Sequence, residues 1–282
     1  MKKIWVLGAS GLLGREILQL LQKNKLAFLA PSKKEADITC YESLKQFVEQ
    51  EEISHIINCA AYTFVDLAEE QYPLAHLINS IGPENLGRIA FECNAKILHF
   101  STDYVFKGEK NIPYTEEDKA GPINAYGKTK LEGEKRLQAV HPSPCIVRTS
   151  WLFGKQGVHF VSKMLSLMRQ KKELSVVMDQ KGRPTFAKDL ALAALNLLDY
   201  SGIYHFANSS ETNWHAFAEE ILKLGKVKGL SLICEKILPI QSHQYSTAAK
   251  RPAYSVLDTT KIESLLGWKP RSWKEALSEI NI

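Results

Sequence analysis

Short apolar runs alternate with amphipathic segments along the first half of the chain. Continuous apolar runs predict buried strands over 3–8, 27–30, 55–61, 95–101 and 144–153. Apolar residues that recur every three or four positions predict helices over 12–24, 41–50, 74–94 and 124–140. Strands that are apolar throughout and separated by helices are typical of a parallel sheet covered on both faces. We therefore predict an α/β fold with a Rossmann-type, doubly wound parallel sheet that binds its ligand at the carboxyl ends of the strands.

The alternation is less regular in the second half of the chain. There the pattern predicts helices over 157–171, 186–199, 213–224 and 272–280, with short strands over 174–178 and 202–207. We expect a dinucleotide-binding domain over 1–153 and a smaller, partly interwoven substrate-binding lobe over 154–282. Some segments of this lobe are expected to return to the first domain.

Composition and charge narrow the class of protein. The chain has 282 residues, of which 45% are hydrophobic and 24% charged, as is typical of soluble globular proteins. Its net charge of +5 comes from scattered basic residues, which gives no support for nucleic-acid binding and suits an anionic small molecule. No apolar run approaches the roughly 18 residues of a membrane span. The five cysteines form no CxxC pair or zinc-like cluster. We expect a cytoplasmic protein without a membrane partner.

The stretch "GASGLLG" predicts a phosphate-binding turn. It places Gly8, Gly11 and Gly14 directly after the first strand and at the start of a helix. Glycines there allow a tight turn and a close approach of the backbone to a pyrophosphate, and the helix N-terminus attracts an anion. The spacing is GxxGxxG rather than the usual GxGxxG, and the position in the chain is what favours cofactor binding.

The loop after the second predicted strand bears on which cofactor is bound. An acidic residue there would accept hydrogen bonds from the adenosine ribose, whereas this chain offers Ser32, Lys33 and Lys34. A hydroxyl and two ammoniums favour a 2′-phosphate, and hence NADPH over NADH; a solvated basic loop explains the same residues nearly as well. Asp37 and Ile38 follow and are expected to line the adenine site.

A tyrosine and a lysine stand four positions apart in "AYGKTK". On a helix, Tyr126 and Lys130 would share one face. An ammonium beside a phenol lowers the pKa of the phenol, and such a tyrosine can act as a general acid toward a ketone. Thr102, at the end of the fourth strand, could hydrogen-bond the same ketone oxygen. YxxxK alone is usually a solvated helix face, but its order after the glycine turn and "STDYVF" favours catalysis.

These motifs together resemble the dTDP-4-dehydrorhamnose reductase family of extended short-chain dehydrogenases/reductases. The resemblance covers nearly the whole chain, through "GASGLLGREI", "HFSTDYVFKG", "INAYGKTKLEGE", "VRTSWLFG", "GRPTFAKDLA" and "KRPAYSVLDTTKI" in the family's order. It implies that NADPH, or alternatively NADH, reduces the 4-keto group of dTDP-4-dehydro-β-L-rhamnose to give dTDP-L-rhamnose, a precursor of surface polysaccharide.

The resemblance also implies roles for individual residues. The catalytic set would be Thr102, Tyr126 and Lys130. The cofactor would contact Gly8, Ser10, Gly11, Leu12, Leu13, Gly14, Ser32, Lys33, Asp37, Ile38, Ala60, Ala61, Tyr62 and Thr63, besides Tyr126 and Lys130. The substrate would contact Val65, Thr102, Asp103, Trp151 and Arg251. For Arg251, a salt bridge that joins the two lobes is an equally good interpretation.

Some members of the family form homodimers through Mg²⁺ held by carboxylates. Glu16 and Asp189 lie near the corresponding positions, but Arg15 adjoins Glu16 and the sequence shows no tight cluster of oxygen ligands. Mg²⁺ and a homodimer are therefore implied only by the resemblance. Ser209 and Ser210 stand where relatives often carry a glycine, a departure that affects the geometry of one loop.

Two other functions fit parts of this pattern. One is a reductase of another nucleotide-linked 4-keto-6-deoxyhexose. The other is a non-catalytic, NADP-binding regulatory subunit that resembles the β subunit of methionine adenosyltransferase. A binding module has no need to keep Thr102, Tyr126 and Lys130 together, so their joint presence favours an enzyme.

Overall fold

Twelve strands and eleven helices make up the part of the protein described by the computed structural model, residues 2–49 and 51–280. The first half contains β1 (Lys3–Leu7), α1 (Leu12–Lys23), β2 (Phe28–Leu29), α2 (Tyr41–Val48), β3 (Ile53–Asn58), α3 (Leu67–Glu70), α4 (Tyr72–His76), α5 (Gly82–Glu92), β4 (Lys96–Thr102), α6 (Ala125–Val140), β5 (Cys145–Thr149) and β6 (Leu152–Phe153). The second half contains α7 (Phe160–Met168), β7 (Glu173–Val177), β8 (Lys181–Gly182), β9 (Thr185–Phe186), α8 (Ala187–Asn196), β10 (Gly202–Phe206), β11 (Thr212–Asn213), α9 (Trp214–Val227), β12 (Lys236–Ile240), α10 (Thr260–Leu266) and α11 (Trp273–Ser278).

Six of the strands form one parallel sheet in the order β10-β5-β4-β3-β1-β2. The chain runs from β1 outward to β2 on one side and then to β3 on the other. Ligands of doubly wound sheets bind at such a switch point, beside the carboxyl ends of the strands. The predicted Rossmann-type sheet is confirmed, and the glycine turn lies at the switch point.

Both faces of the sheet are covered, which explains why its strands carry apolar side chains toward both faces. Ile4 and Val6 point toward α1 and α8 on one face. Trp5 and Leu7 alternate with them and pack on the opposite face, where Trp5 stacks on Phe47 of α2 with ring centroids 5.1 Å apart. Alternation along one strand thus supplies two separate apolar layers.

The second half of the chain contributes to the central sheet as well as to a separate core. β10 pairs in parallel with β5, and Leu190 of α8 packs in the same apolar cluster as Ile17 of α1. A different cluster, which includes Phe153, Phe217 and Trp273, joins α7, α9 and α11. The domain boundary at 153/154 stays a prediction.

Two predicted elements are interrupted in the structure. The helix predicted over 74–94 contains a π-helical turn at Leu77–Ile81 between α4 and α5. Pro83 has no N–H to donate to the carbonyl of Asn79, and this carbonyl instead lies against Gly133 of α6, where an added Cβ would come within 2.0 Å of it. The strand predicted over 144–153 breaks before Trp151, whose φ of +47° is left-handed.

The remaining helices begin and end close to their predicted limits. α2 ends at Val48, and the predicted last residue of that helix, Gln50, lies outside the described residues. α10 and β12 carry no prediction from the sequence. Within the described ranges, no helix has both the length and the apolar character needed to cross a membrane.

Candidate active site

A cleft of about 620 Å³ lies along the carboxyl ends of β1, β3, β4 and β5. It is bordered by the glycine turn and by the segment around Trp151. Of the residues predicted from the sequence, the cleft is lined by Ser10, Gly11, Leu12, Leu13, Gly14, Ala61, Thr63, Val65, Thr102, Asp103, Tyr126, Lys130 and Trp151. The fold therefore brings the predicted phosphate turn and the predicted catalytic residues to one cavity.

The glycine turn leaves room for backbone only. A Cβ on Gly14 would lie 2.4 Å from the carbonyl oxygen of Gly8, and a Cβ on Gly8 would lie 2.5 Å from the amide nitrogen of Ala60. Gly11 is the N-cap of α1 and has no side chain to cap the first turn, so the N–H groups of that turn remain available to an anion. These features fit the pyrophosphate of a dinucleotide.

Lys130 is buried beneath the cleft and held by groups of the neighbouring strand. Its Nζ donates a hydrogen bond to the carbonyl oxygen of Phe100 at 2.6 Å and lies 3.2 Å from Nε2 of His99. Burial lowers the pKa of Lys130 to about 8, although the Glu134 carboxylate opposes this effect. Small changes around Lys130 can therefore change its protonation near neutral pH.

Tyr126 lies in the first turn of α6, which Asn124 caps through its side-chain oxygen at 2.8 Å from the amide nitrogen of Gly127. Burial raises the pKa of Tyr126 to about 12, while a hydrogen bond with the Thr102 hydroxyl lowers it and the Asp103 carboxylate raises it. The pKa therefore shifts upward, whereas the tuning by Lys130 predicted from the sequence would lower it. The physical reason is that burial raises the pKa of Tyr126 by more than the Thr102 hydroxyl lowers it.

Three polar residues lie around Thr102. Asp103 was predicted from the sequence, whereas Ser101 and Ser255 were not. The Asp103 carboxyl is 2% exposed, and burial raises its pKa to about 7 although the Ser255 and Thr102 hydroxyls oppose this. Its Oδ1 accepts a hydrogen bond from Thr102 at 3.1 Å, whereas its Oδ2 makes no hydrogen bond of ordinary geometry. The buried Ser101 hydroxyl also lacks a partner and lines the same cleft. Unpartnered polar atoms at the bottom of a cleft are suited to a polar ligand.

Aromatic side chains form part of the wall of the cleft. Trp151 stacks on Trp214 with centroids 3.6 Å apart and an interplanar angle of 11°. Gly182 lies so close to the indole that a Cβ there would come within 2.7 Å of it. Trp214 and His159 line the cleft as well and were missed, because only the folded chain brings them beside Trp151.

Several predicted cofactor residues lie outside the lining of the cleft: Gly8, Ser32, Lys33, Asp37, Ile38, Ala60 and Tyr62. Ser32 and Lys33 are exposed, and Lys33 forms an ion pair with Asp37 at 3.8 Å. The side chains of Ile38 and Tyr62 are buried in apolar clusters. Backbone contacts to a cofactor from these positions stay predictions.

Arg251 forms a salt bridge with Asp66, which lies 185 positions earlier in the chain. Its guanidinium donates to both carboxylate oxygens of Asp66, at 3.1 and 2.6 Å, and this contact lowers the pKa of Asp66. Arg251 does not line the cleft. The bridge matches the alternative drawn from the sequence, and diphosphate binding by this residue stays a prediction.

The carboxylates considered for Mg²⁺ do not fit that role. Asp189 receives two hydrogen bonds from the Arg271 guanidinium, both at 2.8 Å, and a third from Asn208 at 2.8 Å. Arg271 thus supplies the positive charge beside Asp189. Across residues 2–49 and 51–280, no group of three or more His, Cys, Asp or Glu residues is arranged to hold a metal ion.

Comparison with known proteins agrees with the fold. The model of the RmlD substrate binding domain family matches residues 1–281. The spore coat polysaccharide biosynthesis protein SpsK of Bacillus subtilis is 39% identical over 99% of this chain and 96% of its own. The dTDP-4-dehydrorhamnose reductase of Aggregatibacter actinomycetemcomitans is 38% identical over 99% and 98%.

Solved structures give the same result. A dTDP-4-dehydrorhamnose reductase from Clostridium acetobutylicum has a TM-score of 0.92 and 42% identity over 98% of this chain and 97% of its own. The enzyme of that name from Bacillus anthracis, in complex with NADP, has a TM-score of 0.92 and 36% identity over 99% of both chains. The chain therefore belongs to the dTDP-4-dehydrorhamnose reductase family, which carries the RmlD substrate binding domain.

Proposed function

We propose that this protein reduces the 4-keto group of dTDP-4-dehydro-β-L-rhamnose with NADPH, giving dTDP-L-rhamnose. The observation that carries the proposal is the meeting of Thr102, Tyr126 and Lys130 in one cleft with the glycine turn. Relatives similar over almost their full length bear the name of this activity, and one of them was solved with NADP.

The residues of the cleft divide the chemistry among them. NADPH, when bound, supplies the hydride. The backbone of Gly11, Leu12 and Leu13 would hold its pyrophosphate at the N-terminus of α1. Tyr126 donates its phenolic proton to the ketone oxygen, and the Thr102 hydroxyl hydrogen-bonds the same oxygen and fixes its position. Trp151 offers a flat apolar surface against which a sugar or base can pack.

The proton leaves Tyr126 only if the resulting phenolate is stabilised. Burial raises the pKa of Tyr126 to about 12, so the phenolate is disfavoured. The Thr102 hydroxyl lowers this pKa, and a positive charge on Lys130 one helical turn away would lower it further. Lys130 therefore acts as the cation that supports the acid.

Replacement of Tyr126 by phenylalanine tests the assignment directly. We expect turnover of Tyr126→Phe to fall by about 10²–10⁴-fold, because a positioned general acid contributes that much. Loss of NADPH absorbance with dTDP-4-dehydro-L-rhamnose measures the rate, and fluorescence titration with NADPH shows whether the cofactor still binds. Tyr200→Phe, which removes an exposed phenol, is the matched control and should retain the wild-type rate.

The outcomes separate substrate from mechanism. A variant that keeps the wild-type rate would refute the role of Tyr126 and leave the substrate assignment intact. A folded wild-type protein that binds NADPH but leaves this substrate unchanged would refute the substrate assignment. Identification of the product sugar by NMR then distinguishes dTDP-L-rhamnose from its C4 epimer.

The choice of cofactor rests on the loop after β2. Lys33 is exposed and only loosely paired with Asp37, so its ammonium is free to turn toward a 2′-phosphate. We expect Lys33→Ala to raise the KM for NADPH several-fold and to leave the KM for NADH unchanged. Lys119→Ala, at an exposed lysine that does not line the cleft, is the control for a general loss of positive charge. Equal effects of Lys33→Ala on both cofactors would contradict the assignment.

A further inference from the structure

Three buried polar side chains form a row beneath the cleft. Asn58 ends β3, His99 lies within β4 and Lys130 lies on α6, and none is more than 2% exposed. The Asn58 Nδ2 is 3.0 Å from Nδ1 of His99, and Nε2 of His99 is 3.2 Å from Nζ of Lys130. Each ring nitrogen of His99 therefore has one polar neighbour.

The direction of the first hydrogen bond is fixed by the backbone. The amide N–H of Ala60 donates to Oδ1 of Asn58 at 3.0 Å. If the amide group of Asn58 were turned around, two donors would face each other at this place. The NH₂ group of Asn58 must therefore point at His99, and Nδ1 of His99 must accept a hydrogen bond from it. A neutral imidazole that accepts at Nδ1 carries its proton on Nε2.

The N–H at Nε2 then faces Nζ of Lys130. An ammonium has only donors and would meet this N–H with another N–H, whereas a neutral amine has a lone pair that can accept it. The remaining hydrogens of the amine include the one donated to the carbonyl oxygen of Phe100. All of these buried groups are satisfied when Lys130 is neutral.

We propose that His99 is a positioning residue that favours the neutral amine of Lys130 over the ammonium, by donating its Nε2 hydrogen to Nζ. Its part in turnover rests on the proposed function, because Lys130 must carry an extra proton to be the cation that supports Tyr126. His99 thus sets the pH below which that cation forms.

The surroundings of Lys130 agree with this assignment. Burial lowers the pKa of Lys130 to about 8, and burial together with Lys130 holds the pKa of His99 well below its usual range, so the imidazole stays neutral. The other titratable groups facing Lys130 are the Cys59 thiol, whose pKa burial raises, and the Glu134 carboxylate. Glu134 is itself paired with Arg148 at 2.7 Å, which limits its hold on Lys130.

The proposal is tested by titrating Lys130 in the free protein. NMR of protein labelled at the lysine ε-carbon, with Lys130→Met to identify the signal, gives its midpoint. We expect a wild-type midpoint near 8. His99→Gln offers an amide oxygen to an ammonium, and we expect the midpoint to rise by about one pH unit, as the exchange of one buried hydrogen bond implies. His141→Gln, at another buried histidine that contacts only backbone, should leave the midpoint unchanged.

A second readout uses the unaltered protein, so the test survives if His99→Gln does not fold. NMR of labelled histidine shows which ring nitrogen of His99 carries the proton. A proton on Nε2 supports the proposal, and a proton on Nδ1 overturns it. A Lys130 midpoint that is unchanged in folded His99→Gln overturns it as well.

The pH dependence of kcat/KM tests the part of His99 in turnover. The alkaline decline of kcat/KM in wild type should follow the Lys130 midpoint, and in His99→Gln it should move to higher pH by the same amount. If the titration shifts as expected while no turnover of the sugar is seen, the hydrogen-bond assignment stands and the proposed substrate fails. If the titration shifts while the alkaline limb stays in place, the role of His99 in turnover is overturned.

Discussion

At the scale of single residues, the buried carboxyl of Asp103 should make stability depend on pH. Its pKa rises from 3.8 to about 7 on burial, so the folded protein binds this proton more tightly than the unfolded chain. The resulting stabilisation is complete below pH 4 and is lost as the pH rises through 7. We expect Asp103→Asn to be more stable than wild type at pH 8 by a few kcal/mol, and this advantage to shrink toward pH 5. Urea unfolding at the two pH values measures the difference.

The control is an exposed carboxylate whose pKa is lowered rather than raised. Lys96 lowers the pKa of Asp199, which lies on the surface. Asp199→Asn should therefore lose less than about 1 kcal/mol at pH 8, since exposed ion pairs contribute little. An Asp103→Asn protein that is destabilised equally at both pH values would show that the carboxylate is better accommodated than its burial indicates.

Some site residues can be predicted from the sequence because they are neighbours on one helix. Others cannot, because only long-range packing brings them together. Tyr126 and Lys130 share one helix, so their spacing alone predicts that they are neighbours. His99 stands inside an apolar run, and its partners lie 41 positions before it and 31 after it. Only the register between β3 and β4, and the packing of α6 on them, brings these residues together. Trp214 meets Trp151 by the same kind of long-range packing.

At the scale of elements, the junction between β1 and α1 should tolerate no side chain. A Cβ on Gly14 would lie 2.4 Å from the Gly8 oxygen and 2.7 Å from the Cα of Ala9, both backbone atoms that cannot turn away. We expect Gly14→Ala to lose about 1–3 kcal/mol of stability, as overpacking costs, despite the better helix propensity of alanine. The affinity for NADPH should fall at least tenfold because the phosphate turn must shift. Thermal unfolding and fluorescence titration measure the two effects.

A glycine with free space provides the comparison for that junction. The nearest atom to a Cβ on Gly121 is Cβ of Lys107 at 3.8 Å, an ordinary contact. Gly121→Ala should leave stability and NADPH affinity close to wild type. Full retention of NADPH binding by Gly14→Ala would mean that α1 can move without disturbing the turn.

The position of an element can be predicted from the sequence where a single hydrophobic periodicity extends over the whole segment. It is less predictable where long-range contacts interrupt the element. Strands β1, β3 and β4 carry apolar side chains toward both faces of the sheet, because both faces are covered. The π-helical turn at Leu77–Ile81 has no signature in hydrophobicity. It depends on the close approach of Asn79 to Gly133, and on the side chain of Asn79, which exchanges hydrogen bonds with the backbone of Tyr62.

Arg271 links two distant parts of the molecule. It joins α8, which packs on the central sheet, to the segment that follows α11. Its guanidinium contacts Asp189 of α8 and Glu279 beyond α11, and Lys188 also pairs with Glu279 at 3.0 Å. Glu16 is buried nearby, and its pKa is raised by burial and by Asp189. One arginine therefore neutralises carboxylates from α8 and from the segment after α11.

This arrangement predicts that divalent cations leave the wild type unaffected and matter only when Arg271 is lost. We expect millimolar Mg²⁺ or EDTA to leave the Tm of wild type unchanged, because the Asp189 oxygens already accept three hydrogen bonds. Arg271→Met should lower the Tm, since the partly buried Asp189 carboxylate loses its ion-pair partner and Glu279 is left with Lys188. Mg²⁺ should then restore part of the loss by binding only the folded state. Arg169→Met, at an exposed arginine, controls for charge. A wild-type Tm that rises with Mg²⁺ would show that a cation competes with Arg271 for these carboxylates.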